Sequence, residues 1–209
     1  MASFFKAFMY IFRLFSSLFT IALLFTACTK KHIEKWDTIK VNPNLSKDSI
    51  FTKMDKQKEF IIFPKFDSTL KQSSRVAILI GEKHSRADSL NSSFSTCKAY
   101  FHKADTLNIH IGLDGPFGGS GIDISYHNNK FNTKGYQYSD VVPSGKLEKP
   151  LHWVIHQQLV LDKASYKIGD SLYGYIDFKV KERNEIGDTV VYSAQGKFRA
   201  KVLKYDPNY

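Results

Sequence analysis

Short apolar runs, several of them alternating with polar residues, follow one another from residue 60 to the end of the chain. In residues 107–113, Leu107, Ile109 and Ile111 share one face of an extended strand, and polar or small residues share the other. Turn-forming residues bound the runs, and no amphipathic helix of 12 residues separates them. The pattern predicts strands over residues 60–63, 76–80, 96–101, 107–113, 122–126, 152–161, 172–180 and 190–203.

These strands predict an all-β fold, because an α/β sheet would need a helix between successive strands. We expect an antiparallel β-sandwich, immunoglobulin-like or related, over residues 59–209. The Asn128-Asn129 pair predicts a tight hairpin turn, since both central positions of a type I′ turn need the positive φ that Asn tolerates. A chain of 209 residues is expected to hold one such domain.

The two C-terminal strands predict one pairing register. A turn near residues 184–187 places small residues opposite large ones, as the inward face of a packed hairpin requires. A slip of one residue would exchange the inward and outward faces. The inward pairs are Gly174 with Phe198, Ile176 with Gly196 and Phe178 with Ala194, and the outward pairs are Tyr173 with Arg199 and Tyr175 with Lys197.

The chain has more basic than acidic residues, which indicates the kind of surface that this domain would lie against. The chain has 30 Lys and Arg against 20 Asp and Glu, a formal charge of +10, which favours an acidic neighbouring surface. Five basic side chains share the outward face of the C-terminal hairpin as a candidate basic patch, although such a row is also typical of a solvated face. They are Lys179, Lys181, Lys197, Arg199 and Lys201.

The first 27 residues predict a signal peptide. Lys6 and Arg13 precede an apolar run over residues 14–27, and the Lys30-Lys31 pair follows it. The run is shorter than the roughly 20 apolar residues that a helix needs to cross a bilayer. The alternative is an uncleaved anchor helix.

The end of this run, Leu24-Phe25-Thr26-Ala27-Cys28, resembles the lipobox of bacterial lipoproteins, although that family usually has an aliphatic residue in place of Phe25. The resemblance implies cleavage before Cys28, a thioether to diacylglycerol on its sulfur and an acylated amino group. Two or three acyl chains give stable membrane anchoring. Residues 28–58, polar and Lys-rich, are then expected to form a flexible tether.

The residues after Cys28 bear on which side of the membrane the protein faces. Lipoproteins of the Bacteroidota that reach the cell surface often carry an acidic run there, and residues 29–35 lack one. We therefore expect a lipid anchor in the outer membrane, facing the periplasm.

An Asp-containing tripeptide, with Ser or Thr second and an aliphatic residue, Met or Thr third, occurs seven times, whereas the composition predicts fewer than one occurrence. It resembles the O-glycosylation sequon of exported Bacteroidota proteins, in which the hydroxyl residue carries the glycan. The same tripeptide also favours an Asx turn before a strand, so both interpretations stay open. The candidate acceptors are Thr38, Ser49, Ser68, Ser89, Thr106, Ser171 and Thr189.

Catalytic chemistry has little support in the sequence. The glycine-rich loop within residues 114–121 lacks the Lys-Ser/Thr ending of a phosphate-binding loop. Cys97 is expected to be a buried, inert thiol. His110 and Asp114 are near neighbours, but no spacing requires them to form a site. No residue pattern predicts a catalytic group, a metal site or a cofactor.

Two functional classes remain. We expect a non-catalytic envelope module that binds a glycan or another envelope protein, because no compact nucleophile or carboxylate pair is present. A nucleic-acid partner is not expected for an exported chain. The alternative is an envelope hydrolase whose dispersed site lies near residues 114–121.

Overall fold

The computed structural model describes residues 34–60, 70–81, 89–90, 94–102, 105–140, 149–183 and 187–205. Strands dominate these ranges, which confirms the all-β, mostly antiparallel prediction. No helix in the same ranges is long and apolar enough to span a membrane. The strands are β1 (Asp37–Thr38), β2 (Lys40–Val41), β3 (Ser74–Ile80), β4 (Ser89–Leu90), β5 (Thr96–His102), β6 (Thr106–Gly115), β7 (Gly118–His127), β8 (Lys130–Ser139), β9 (Leu151–Leu161), β10 (Ser171–Arg183) and β11 (Thr189–Lys204), and the helices are a 3-10 turn (Leu45–Lys47) and α1 (Ser49–Met54).

The strand β11 belongs to both layers of the sandwich. Along most of its length it pairs with β10 and β3, in the layer ordered β2-β9-β10-β11-β3-β4. Its last residues pair in parallel with β5, in the layer ordered β1-β8-β7-β6-β5-β11. One continuous strand therefore connects the two layers.

The apolar faces of the two layers form a common core. Leu107, Ile109 and Ile111 of β6 are buried, as their alternation predicts. They share one cluster with Ile176 and Phe178 of β10 in the other layer. Full burial of each such side chain contributes about 1.5–3 kcal/mol. The opposite face of β6 is left for polar side chains.

Two predicted hairpins are confirmed. Asn128 and Asn129 have φ of 48° and 62°, as a type I′ turn between β7 and β8 requires. The register of β10 with β11 places Gly174 opposite Phe198, and the other four predicted pairs also match. A Cβ at Gly174 would lie 2.1 Å from Cζ of Phe198, so only glycine leaves room for the ring.

The prediction of a flexible tether is wrong for residues 34–58. This N-terminal segment belongs to the compact unit Glu34–Tyr209. Its short strands β1 and β2 pair with β8 and β9, and Ile39 between them joins the main core. The predicted signal peptide (residues 1–27), Cys28 and nearly all of the predicted strand over residues 60–63 lie outside the described residues.

A second, smaller core holds the N-terminal segment in place. Leu45, Phe51 and Met54 are buried together. The Phe51 ring meets the outward ring of Tyr173 edge to face, with 4.9 Å between centroids. Asp48 caps α1, since its carboxylate accepts the Ile50 amide at 3.0 Å. In sequence the segment is similar to a polar linker, because its only buried apolar side chains are Ile39, Leu45, Phe51 and Met54, which follow no regular period.

We expect Phe198→Ala to lower the free energy of unfolding by about 3–5 kcal/mol, since the ring is fully buried over Gly174. The measurement is a denaturant melt. Ile155→Ala is the control, because that side chain is 58% exposed and should change stability by about 0.5 kcal/mol or less. Equal effects of the two variants would contradict the assigned inward face.

Met54→Ala should lower the free energy of unfolding by about 2–5 kcal/mol, because the side chain has no exposed surface. Lys53→Ala, at an exposed neighbouring position on the same helix, is the matched control. A freely moving tether would instead make both changes neutral.

Candidate functional site

The predicted basic patch is not a continuous basic surface. Lys197 forms an ion pair with Asp48, which lowers the pKa of that carboxyl group. Arg199 Nη1 donates to Oδ1 of Asp55 at 2.7 Å. The two residues therefore hold the N-terminal segment against the hairpin. The other three members, Lys179, Lys181 and Lys201, are exposed.

Most candidate glycan acceptors stand at the start of a structural element. Ser49, Ser89, Thr106, Ser171 and Thr189 are the first residues of α1, β4, β6, β10 and β11. This position supports the turn interpretation, and the Asp48 cap is a direct example of it. Thr38, Ser49, Ser171 and Thr189 are exposed and Thr106 is half-buried, whereas Ser68 lies outside the described residues. Glycosylation stays a prediction.

Cys97, on β5, is a buried free thiol, as predicted. Burial, and then the nearby Glu59 carboxylate, raise the pKa of Cys97 well above its usual value. A thiol with so little thiolate character is a poor nucleophile.

An unpredicted polar cluster lies on the outward face of β6, β7 and β8. His110 of β6 is placed between two carboxylates, with Nδ1 2.6 Å from Oδ1 of Asp123 and Nε2 2.7 Å from Oδ2 of Asp114. Tyr136 of β8 donates its hydroxyl to Oδ1 of Asp114 at 2.9 Å. We call these four residues the His110 cluster.

Glycines on β6 and β7 make room for the tyrosines of β8. The ring of Tyr136 crosses Gly121 and reaches Gly112, where a Cβ would lie 2.2 Å from its hydroxyl oxygen. Tyr138 crosses Gly119 in the same way, with a Cβ there 2.6 Å from the ring. Three positions without side chains therefore allow both rings to reach Asp114.

The charges of the cluster are coupled. Burial of the imidazole ring favours its neutral form, but the hydrogen bonds to Asp114 and Asp123 outweigh this effect and raise the pKa of His110 to about 9. Burial opposes ionisation of Asp114 too, and the bond from His110 nevertheless lowers its pKa. Burial and the Asp114 carboxylate raise the pKa of Tyr136 far above its usual value. At neutral pH the cluster therefore holds an imidazolium, two carboxylates and a neutral phenol.

A cavity of about 450 Å³ opens beside the cluster, within the usual range for small-molecule sites. The rings of Tyr100 and Tyr205 touch at its wall, with 5.4 Å between centroids and a tilt of 43°. Its lining comes from β5, β6, the end of β11 and the residue that follows β11, namely Lys98, Ala99, Tyr100, His110, Asp114, Leu203, Lys204 and Tyr205.

The cluster is better suited to binding than to acid–base catalysis. A general base or a metal ligand needs a free nitrogen lone pair, and both ring nitrogens of His110 face carboxylates. No group of three His, Cys, Asp or Glu side chains in the described ranges is arranged to hold a metal ion. What the arrangement provides is a rigid polar surface next to an aromatic wall.

Sequence reasoning noted His110 and Asp114 but missed Asp123, Tyr136, Tyr100 and Tyr205 as their neighbours. The available signal was the glycine pattern, since Gly112 and Gly121 pair directly across β6 and β7. A sheet face without side chains at paired positions indicates that a ring from a neighbouring strand lies over it.

Comparisons with protein-family models, with curated proteins and with solved structures find no match to this chain. What the protein does is therefore inferred from its own residues.

We expect His110→Gln to destabilise the protein in a pH-dependent manner. The folded pKa of about 9 lies above the ordinary 6.5, so the charged ring contributes stability below pH 6.5 that is lost as the pH rises through 9. The pH-dependent part should amount to about 3 kcal/mol. Denaturant melts of wild type and variant at pH 6, 8 and 10 measure it.

Tyr136→Phe is the control for this prediction. It removes the hydroxyl that bonds Asp114 at 2.9 Å and lies 2.8 Å from Nε2 of His110, but it leaves the charged ring between its carboxylates, so it should lower stability by about 1–2 kcal/mol at all three pH values. A pH-independent effect of His110→Gln would mean that the ring is neutral in the folded protein.

Proposed function

We propose that the protein is a lipid-anchored module of the bacterial cell envelope with a non-catalytic binding role, exerted through the outward face of β5 and β6. The observation that supports binding is the cavity beside the His110 cluster, where an aromatic wall meets polar groups already held by one another. Such a surface recognises a ligand without reorganising, which limits the entropy lost on binding.

The anchor is supported by the leader and by the resemblance of residues 24–28 to a lipobox. Because the compact unit begins at Glu34, only five residues separate it from Cys28. The six Cα–Cα steps from Cys28 to Glu34 extend over at most about 20 Å, so an acylated Cys28 would keep the domain close to the bilayer. In this role the protein is anchored in the outer membrane and faces the periplasm, because residues 29–35 carry no acidic run.

The occupied nitrogens of His110 also favour binding over the hydrolase alternative. Asp114 does lie within residues 114–121, proposed for that site, but it belongs to the end of strand β6. Its carboxylate, however, is hydrogen-bonded to His110 and Tyr136, and its lowered pKa makes it a poor general acid.

Cys28→Ser should move the protein from the membrane fraction to the soluble fraction and abolish partitioning into detergent. The physical reason is loss of the acyl chains, each methylene of which contributes about 0.8 kcal/mol of membrane binding. Native cells are fractionated, and the mature protein is weighed by intact mass spectrometry, which also detects any glycan on Thr38 or Ser49.

Cys97→Ala is the matched control, since this second cysteine is buried and should leave partitioning unchanged. A Cys28→Ser protein that stays in the membrane fraction with unchanged size would refute the lipid anchor.

A further inference from the structure

The cavity beside the His110 cluster combines an aromatic wall with two lysines. We propose that it binds a sugar carrying an acidic group, with the sugar ring packed on Tyr205 and Tyr100 and the acid paired with Lys98 and Lys204. This inference rests on the proposed binding role and names the class of ligand for it.

The apolar part of the site is exposed and held in place. Tyr205 is 45% exposed and Leu203 46% exposed, although both lie beside a polar cluster. The Tyr205 ring is supported by Tyr100 and, edge to face at 5.2 Å between centroids, by His102. A pyranose ring has an apolar face of C–H groups that packs on such rings, while its hydroxyls stay polar.

The charges around the cavity select an anion. Lys98 and Lys204 are exposed, and within the described residues neither has a carboxylate within 4 Å. The imidazolium of His110 offsets only one of its two neighbouring carboxylates, Asp114 and Asp123, so the cluster adds one negative charge beside the cavity. The two ammonium groups exceed that charge by one, although Lys98 also acts on Asp114 and helps to lower its pKa. The remaining positive charge disfavours a cationic ligand and attracts a carboxylate or a phosphate.

Asp114 adds a reason to expect hydroxyl groups on the ligand. Its carboxylate accepts hydrogen bonds from His110 and Tyr136, and more weakly from Tyr138 at 3.5 Å. A carboxylate has about four acceptor positions, so one stays available to a donor in the cavity. A sugar hydroxyl provides that donor on the same molecule as the acid.

An acidic peptide fits the site less well. Extended peptides are usually held by main-chain hydrogen bonds to a free sheet edge. Here the cavity lies on a sheet face, and β5 is already paired with β6 on one side and with β11 on the other. A peptide would have to bind through its side chains alone.

The test is an NMR titration of the full lipid-anchored chain in detergent. The ligands are a glucuronic acid disaccharide, glucose 1-phosphate, the neutral glucose disaccharide and the tripeptide Glu-Tyr-Glu. The acidic sugars should bind at least tenfold more tightly than the neutral disaccharide, and the two acids distinguish carboxylate from phosphate recognition.

Variants assign the binding to this cavity. Lys98→Gln with Lys204→Gln should abolish the preference for acid, whereas Tyr205→Ala should weaken binding of acidic and neutral sugars alike by tenfold or more. Lys179→Gln with Lys181→Gln, two exposed lysines on β10, is the control and should change nothing. Thermal melts confirm that each variant is folded.

The opposing outcomes are distinct. Three results would overturn the acidic-sugar ligand: no sugar binding, tighter binding of the peptide, or affinities that the cavity variants leave unchanged. None of them bears on the lipid anchor, which the Cys28→Ser experiment tests separately. Cleavage of the glucuronic acid disaccharide would overturn the non-catalytic role itself.

Discussion

The register of β11 against its neighbours is the constraint on which the rest of the structure depends. Its sixteen residues run from β10 and β3 in one layer to β5 in the other, so one strand sets how the two layers meet. On its inward side Phe198 fills the space that Gly174 leaves. On its outward side Lys197 and Arg199 hold the N-terminal segment. A slip of one residue would bury these cations and expose the ring.

The two outward faces of the sandwich are used differently. On the hairpin of β10 and β11 the N-terminal segment covers the sheet, with Phe51 packed on Tyr173 and carboxylates paired to the cations there. On β5 and β6 the sheet carries the His110 cluster and an open cavity. The N-terminal segment therefore covers the first face and pairs with its cations, whereas the second face is left open to a ligand.

The His110 cluster shows how a polar face acquires a fixed shape without a covering layer. The imidazole ring of His110 is held at Nδ1 by Asp123 and at Nε2 by Asp114. The ring of Tyr136 lies over glycines of the neighbouring strands. Because these groups already form hydrogen bonds with one another, little further conformational entropy is lost when a ligand binds to the surface.

The sequence by itself determined the features that depend on neighbours along the chain or on a single hairpin. Examples are the alternation in residues 107–113, the Asn128-Asn129 turn and the β10–β11 register. In the strands, the two-residue period of buried positions and the pairing of small with large side chains allow only one register. Tertiary structure alone decided that Asp48 meets Lys197 and that His110 meets Tyr136, because those partners are 149 and 26 positions apart. Polar side chains follow no period that reveals such a partner, so only the assembled sheets bring them together.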